Sequence, residues 1–161
     1  MMTMLGRLQD FMTGGDRAVK AAERQFGVIP YMPVGDRVAF LLITSRRSGR
    51  WIFPKGAPAK GVSEWDHAAE EARQEAGVTG RVDSTPIGSY RDWKTRSLRR
   101  VPIEVFMFPL RVEQQLESWP EEEQRHRHWA IFPEARRLLT NPSLVEMIAR
   151  IDESVRRERS A

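Results

Sequence analysis

The chain has 161 residues, 40% of them hydrophobic and 30% charged, which is typical of a globular protein large enough for one domain with a proper core. The absence of cysteine excludes disulfide scaffolds, cysteine-based zinc sites and thiol nucleophiles, and it predicts a reducing, cytoplasmic compartment. Apolar runs such as residues 38–43 are far too short to span a membrane, so we expect no membrane partner.

Basic residues outnumber acidic ones, with a net charge of +4, and only four of the 26 basic residues are lysines. An excess of arginine favours recognition of phosphate or carboxylate groups, because guanidinium binds both bidentately. A generally basic surface explains the charge equally well.

The first predicted elements are strands. Residues 25–33 form a short strand ended by prolines, and VGD at 34–36 forms a hairpin turn. Residues 36–47 contain a nearly continuous apolar run, which predicts a strand buried on both faces with helices on each side. A brief strand at 51–53 then enters a loop at Pro54.

A helix follows this loop. Ser63 begins it with a pattern like a capping box, in which the serine oxygen accepts from the backbone N–H three residues on. Gly77 ends it as the left-handed residue after the last turn.

The remaining segments alternate between strands and helices. Strands are predicted at 80–93 and 99–112, joined by the basic loop KTRSLRR, followed by a loop and strand at 116–132 and by helices at 133–140 and 143–157.

This order of elements predicts a mixed sheet between helices, within the α+β or α/β classes. We expect residues 23–157 to form a single domain and residues 1–22 to be an N-terminal extension.

The predicted helix carries a row of carboxylates. On a helical wheel, Glu64, Glu71 and Glu75 follow one edge of the buried stripe, whereas Glu70 points elsewhere. The stripe consists of Trp65, Ala68, Ala69, Ala72 and Ala76. Like charges at i and i+4 repel, and a hard cation with oxygen ligands relieves that repulsion. A solvated acidic face is the alternative for this helix taken alone.

The spacing from Gly56 resembles the Nudix box, G-x5-E-x7-R-E-U-x-E-E-x-G-U, in which U is aliphatic. Gly56, Glu71, Glu75, Gly77 and Val78 match it. Further similarity lies in RSGRWIFPKG, SYRDW, VPIEVFMFPL and WPEEEQRHRHW, which resemble a bacterial subgroup similar to diphosphoinositol polyphosphate phosphohydrolases. The resemblance covers residues from about 25 to 150 and implies an α/β/α sandwich.

Three box positions depart from the pattern: Val62 replaces its first Glu, Glu70 its Arg, and Gln74 the first Glu of the terminal pair. If the first two positions form a supporting ion pair in the family, losing both partners costs less than losing one. Gln74 has lost the charge of a metal ligand. Either the site binds metal more weakly, or another carboxylate substitutes, or catalysis is lost and binding retained; the candidate substitutes are Glu64, Glu104, Glu121, Glu122 and Glu123.

The resemblance implies a pyrophosphohydrolase that uses Mg²⁺, with Mn²⁺ as an alternative. It implies Glu71 and Glu75 as catalytic residues, and the Gly56 carbonyl, Gln74 and both glutamates as metal ligands. Either Glu71 or a carboxylate of the 121–123 loop accepts the proton from water.

The expected partner is a phosphorylated small molecule held by basic residues near the box. The substrate-binding candidates are Arg46, Arg50, Lys55, Arg99 and Arg100. The number of cations favours a highly phosphorylated substrate, either a diphosphoinositol polyphosphate or a dinucleoside polyphosphate. Surface positions for half or more of the arginines are the alternative.

Two other functions remain open from the sequence. One is a Nudix-fold binding module without turnover, and the other is a nucleic-acid-binding domain, for which the basic charge is the sole argument. A zinc site at His126 and His128 is not expected without a third ligand. His67 lies on the metal side of the helical wheel; it is expected to face solvent, and a supporting role beside the metal ligands is the alternative. Trp93, Trp119 and Trp129 could stack on a base or pack in the core.

Overall fold

The computed structural model of the protein describes residues 21–161, so the predicted N-terminal extension lies outside the described residues except for its last two positions. The strands are β1 (Glu23–Val34), β2 (Arg37–Thr44), β3 (Trp51–Ile52), β4 (Lys55–Gly56), β5 (Val78–Val82), β6 (Gly88–Arg96), β7 (Arg99–Gln115) and β8 (Arg127–Ile131). The helices are α1 (Glu64–Ala76), α2 (Phe132–Leu138) and α3 (Pro142–Ser160).

The strands form one mixed sheet. Its central path runs β3-β2-β1-β7-β5, with β8 paired to β2, β4 to β1 and β6 to β7. Strands β1 and β7 are parallel, and the other pairs are antiparallel. The predicted mixed sheet between helices is confirmed.

Strand β2 shows why helices cover both faces of the sheet. Phe40 and Leu42 belong to the core cluster beneath α2 and α3, whereas Leu41 and Ile43 belong to the cluster beneath α1. Successive side chains on a strand point to opposite faces, so a continuous apolar run fills both clusters.

Helix α1 lies close to the sheet because its inner face is made of alanine. Ala68, Ala72 and Ala76 are completely buried among β-strand side chains. The helical wheel placed Trp65 in this buried face, and that prediction was wrong: Trp65 lies in the first turn of α1 and is 37% exposed.

The ends of α1 were predicted correctly because local chemistry sets them. The Ser63 side chain accepts from the backbone N–H of Asp66 at 3.3 Å. Gly77 adopts the left-handed conformation, with φ of 65°, and its N–H bonds back to Arg73 O.

The predicted strand at 80–93 was wrong, because it is two strands. The chain leaves β5 at Asp83, whose Oδ1 accepts from the backbone N–H of Thr85 at 2.9 Å, and Pro86 follows before β6 begins. Such a side-chain turn and a proline both interrupt a sheet ladder.

The predicted basic loop KTRSLRR was also wrong. Strand β6 continues to Arg96, and β7 resumes at Arg99, so only Ser97 and Leu98 form the turn. Ser97 has a positive φ of 52°. The side chains of this hairpin are mostly basic or polar and exposed to water. A sequence of that composition resembles a loop, so the strands could not be recognised from composition alone.

Gly77 provides a test of how the end of α1 is packed. A Cβ at this position would lie 2.8 Å from both Trp119 Cγ and Arg127 Nη1, besides requiring a left-handed residue. We expect Gly77→Ala to lower the free energy of unfolding by about 2–4 kcal/mol, measured by urea denaturation.

Gly35→Ala is the matched control, since Gly35 has a similar φ of 60° but no atom within 4 Å of the added Cβ. It should cost only about 1 kcal/mol, the backbone component alone. Equal losses in the two variants would show that crowding at Gly77 contributes nothing.

Candidate active site

Helix α1 and strand β4 meet at the carboxylates. Strand β4 is held in place by its pairing with β1, in which Phe26 lies opposite Gly56. A Cβ on Gly56 would overlap the carboxylate of Glu71, so only glycine allows Glu71 to lie against the loop. One turn further along, the Glu75 carboxylate accepts from the backbone N–H of Lys55 at 3.3 Å.

Glu75 is buried and paired. Its residue exposure is 7%, and Arg125 Nη2 lies 3.3 Å from its Oε1. The same guanidinium lies 3.3 Å from Glu121 Oε1 and donates to Thr44 O at 3.0 Å. Burial raises the pKa of Glu75 to about 8, the Arg125 guanidinium opposes this rise, and the carboxylates of Glu71 and Glu121 add to it.

Lys55 is half-buried on the floor of the same site. Its Nζ donates to Gln25 Oε1 at 3.1 Å, and burial lowers its pKa, with the nearby charge of Asp92 opposing the shift. A partly desolvated ammonium is a strong partner for an anion that enters the site.

These groups line a cleft of about 850 Å³. Its acidic side chains lie on α1, on β6 and on the 116–127 segment, which joins β7 to β8 and includes the first residue of β8. The cleft also has an exposed indole and six cationic side chains, namely Arg46, Arg47, Arg50, Lys55, Lys94 and Arg125. This arrangement matches a ligand with several phosphate groups.

The structure brings together most of the residues that the sequence pointed to. The cleft lining includes Gly56, Glu71, Gln74, Glu75, Arg46, Arg50 and Lys55. Two substrate-binding candidates, Arg99 and Arg100, are not in the described lining. Both lie at the far end of the β6–β7 hairpin, where Arg100 stacks on Trp93 with 5.1 Å between its Cζ and the ring centroid.

Two of the three departures from the box, Glu70 and Gln74, are joined by a hydrogen bond on the surface of α1. Glu70 is paired with Arg73, whose Nη2 lies 2.6 Å from its Oε1, and the same oxygen accepts from Gln74 Nε2 at 3.1 Å. Hydrogen bonding to Arg73 lowers the pKa of Glu70. Glu70 therefore has its charged partner within α1 and does not need one at position 62. Val62, which occupies that position, is 48% exposed.

Among the carboxylates that could substitute for the lost charge, Glu121 is the one in the described cleft lining. Its carboxylate lies 3.4 Å from Arg46 and 3.3 Å from Arg125. Glu104 accepts instead from Ser89 Oγ at 2.9 Å.

Sequence reasoning missed Gln25 and Asp92, which also line the cleft. Gln25 is a buried polar residue at the start of the apolar strand QFGVIPY, and an isolated polar side chain in such a run was the available signal. The expectation for His67 was wrong. It is largely buried, and its Nε2 lies 3.4 Å from Glu71 Oε1, because the alanine face draws this side of the helix toward the sheet.

The donor set fits a hard divalent cation. Glu71 lies against a glycine whose Cβ would displace it, and Glu75 is a buried carboxylate one turn away. Within residues 21–161, no group of three His, Cys, Asp or Glu side chains is placed to hold a metal. Any cation here would therefore need neutral oxygens in addition to carboxylates, which Mg²⁺ and Mn²⁺ accept.

Two plant proteins are similar in sequence. Nudix hydrolase 21, chloroplastic, from Arabidopsis thaliana is 35% identical over 146 residues, which are 88% of this chain and 69% of that protein. Nudix hydrolase 17, mitochondrial, from the same plant is 35% identical over 124 residues, 73% of this chain and 66% of that protein. No protein-family model matches the chain.

Solved structures share the fold. The NUDIX domain of Shewanella oneidensis NrtR, complexed with ADP ribose, aligns with a TM-score of 0.62 over 99% of this chain and 100% of that chain, at 12% identity. A Caenorhabditis elegans Ap4A hydrolase binary complex aligns with a TM-score of 0.60 over 81% and 95% of the two chains, at 16% identity.

The buried Glu75 predicts a pH-dependent stability. Its folded-state pKa of about 8 lies above its usual value of 4.5, so the folded protein binds this proton more tightly than the unfolded chain. This contribution is complete below pH 4.5 and is lost as the pH rises through 8. Relative to wild type, we expect Glu75→Gln to gain on the order of 2–4 kcal/mol between these limits.

The measurement is urea unfolding of both proteins in EDTA at several pH values. Replacing the neutral carboxyl by an amide adds a constant offset, whereas the slope of the difference against pH reports the ionisation of Glu75, including its attraction to Arg125. A flat difference, or one that falls with rising pH, would show that Glu75 is ionised throughout.

Proposed function

The chain belongs to the Nudix hydrolase family, and from that premise we propose that it is a metal-dependent pyrophosphohydrolase that cleaves a diphosphate linkage in a multiply phosphorylated small molecule. The observation that carries this proposal is the cleft in which Glu71 and Glu75 share one lining with six cationic side chains. The predicted enzyme class, a hydrolase of phosphorus anhydrides, is confirmed by the relatives.

In this proposal, Glu71, Glu75, Gln74 and the backbone carbonyl of Gly56 hold the metal. A divalent cation bound there supplies charge neutralisation at the diphosphate oxygens. The chain's own cations, foremost Lys55, orient the phosphates by charge-assisted hydrogen bonds. Because Lys55 is held by Gln25, its ammonium is already in position before a ligand binds.

Two carboxylates remain candidates for accepting the proton from water. Glu71 lies beside His67, whose Nε2 is 3.4 Å from its Oε1, and Glu121 lies between Arg46 and Arg125. The Glu121 carboxylate is already bound by two guanidinium groups, which leaves it less free than Glu71 to contact a water molecule. We therefore assign the general base to Glu71.

The substrate belongs to one of two classes. A diphosphoinositol polyphosphate would use the six cationic side chains, as the resemblance to that bacterial subgroup suggests. A dinucleoside polyphosphate would also use Trp93, which lines the cleft, is 54% exposed and is stacked on Arg100. The Ap4A hydrolase and the ADP-ribose complex among the similar structures favour the nucleotide class.

A binding module with little turnover is the second candidate. It is favoured by Gln74, whose side chain is engaged with Glu70, and by Arg125, which lies 3.3 Å from Glu75 and would compete with a metal cation for its carboxylate. In this case the cleft would retain its affinity for phosphates while the metal site contributes little.

A cytoplasmic location remains a prediction from the cysteine-free composition. Two relatives carry chloroplastic and mitochondrial names, which do not support it. No helix in residues 21–161 is both long and apolar enough to cross a membrane.

Release of phosphate or diphosphate from a substrate panel tests the function. The panel contains diphosphoinositol polyphosphates, dinucleoside polyphosphates and nucleotide sugars, each with Mg²⁺ and with Mn²⁺. We expect release from at least one, a loss of at least about a hundredfold in Glu71→Gln, and equal or higher activity in Gln74→Glu, which restores a charged ligand.

No release from any substrate, together with tight binding of one of them, would replace the enzyme by the binding module. Full activity in Glu71→Gln would remove this residue from the mechanism and leave Glu121 as the base.

Trp93 separates the two substrate classes. If a base stacks on the indole, Trp93→Ala should raise KM about tenfold for a dinucleoside polyphosphate, since such stacking contributes roughly 1–3 kcal/mol. KM for a diphosphoinositol polyphosphate should change less than about twofold, because that ligand has no base. Leu98→Ala is the control, since Leu98 is fully exposed at the turn of the same hairpin.

A further inference from the structure

The C-terminal end of α1 has a feature that its metal-ligand pattern does not explain. The last carbonyls of a helix have no partner within the helix and must be satisfied from outside. Here a single stretch of chain, the 116–127 segment, satisfies the last three carbonyls of the helix and that of Gly77, which follows it. Its four bonds run from Glu121 N to Gln74 O (3.2 Å), from Trp119 Nε1 to Glu75 O (3.1 Å), from Arg127 Nη1 to Ala76 O (3.1 Å) and from Leu116 N to Gly77 O (2.8 Å).

Arg127 and Trp119 make this contact a rigid one. The guanidinium of Arg127 lies 3.9 Å from the centroid of the Trp119 ring and also donates to Leu116 O at 2.8 Å. Burial lowers the pKa of Arg127, yet a guanidinium remains protonated at any physiological pH. A positive charge at the carboxyl end of a helix is also stabilised by the helix dipole.

The same segment contacts the side chain of Glu75. Arg125 lies 3.3 Å from its carboxylate, while Trp119 binds the backbone carbonyl of the same residue at 3.1 Å. Glu75 is therefore fixed at both its backbone and its side chain by residues six positions apart.

Both ends of the segment are anchored in the sheet. Gln115, just before it, pairs with Val78 at the end of β7, and Arg127 pairs with Ile43 at the start of β8. The segment is thus a bridge across the sheet that ties the carboxyl end of α1 to strands on both sides.

We infer that the 116–127 segment positions Glu75 for its ligand, with Trp119 and Arg127 as the positioning residues. Neither side chain is in the described cleft lining, so each acts through the end of α1 and not by touching substrate. The inference rests on the proposed function, because the ligand of Glu75 is the divalent cation assigned there.

Trp119→Phe tests the inference, and Trp129→Phe, with the same loss of side-chain volume, serves as its control. Trp119→Phe removes the indole N–H that binds Glu75 O and keeps an aromatic ring next to Arg127. We expect the affinity for Mn²⁺, measured by electron paramagnetic resonance without substrate, to fall about three- to tenfold, the equivalent of one hydrogen bond. With substrate, kcat should fall by a similar factor, while KM, set by the phosphate-binding cations, changes less than about twofold.

Trp129→Phe is the matched control. It also removes an indole N–H hydrogen bond, the one to Gln115 Oε1 at 2.6 Å, but it does not contact α1 through that bond. We expect Mn²⁺ affinity and kcat to stay within about twofold of wild type. Arg127→Lys is the second variant, because it keeps the charge but loses the planar fork that donates to Ala76 O and Leu116 O through separate nitrogens. It should weaken Mn²⁺ binding as Trp119→Phe does.

Equal Mn²⁺ affinity in Trp119→Phe, Arg127→Lys and wild type would overturn the inference, even if wild type hydrolyses a substrate. Equal losses in Trp119→Phe and Trp129→Phe would overturn it as well. Weaker Mn²⁺ binding in the two segment variants alone would support it, even if no substrate is hydrolysed and the proposed function fails. A wild-type protein without measurable Mn²⁺ affinity would overturn both.

Discussion

The burial of Glu75 is the constraint on which the rest of the site depends. Its carboxylate lies between the sheet and the 116–127 segment at the edge of the cleft, where burial makes an isolated charge costly. Two neighbouring groups offset this cost. Arg125 supplies an opposite charge, and the backbone N–H of Lys55 donates a hydrogen bond. A cation that replaced or joined Arg125 would therefore bind a carboxylate that is already held in place. The cleft beside it carries most of its positive charge on arginine side chains.

The arginine-rich composition has two physical uses in this fold. Arg46, Arg47 and Arg50 lie along the cleft, as expected for phosphate binding. The guanidinium of Arg127 instead donates to backbone carbonyls and stacks on the indole of Trp119. Lysine would be a poor replacement there, because its tetrahedral ammonium has neither the planar fork that reaches both carbonyls nor the flat face that stacks on the indole. This structural use of Arg127 was covered by neither interpretation of the composition, phosphate or carboxylate recognition and a generally basic surface.

Local chemistry explains which elements could be predicted. Ser63 and Gly77 delimit α1 because capping depends on residues within one turn, and the apolar run of β2 identifies a strand buried on both faces. The β5–β6 break and the β6–β7 hairpin could not be located in this way. The first depends on a side chain turning back to its own backbone at Asp83, and the second on partners across the sheet that make basic residues part of a ladder.

The sequence by itself determined the family pattern, the limits of α1 and the identity of its carboxylates, because spacing along a helix sets which side chains share an edge. It also showed that Glu70 lies apart from Glu71 and Glu75. Only the tertiary structure decided that Arg125 is the counter-ion of Glu75, that His67 turns inward, and that Glu121 joins the cleft while Arg99 and Arg100 do not. These contacts join residues far apart in the chain or depend on which face a helix presents to the sheet, so no local pattern encodes them.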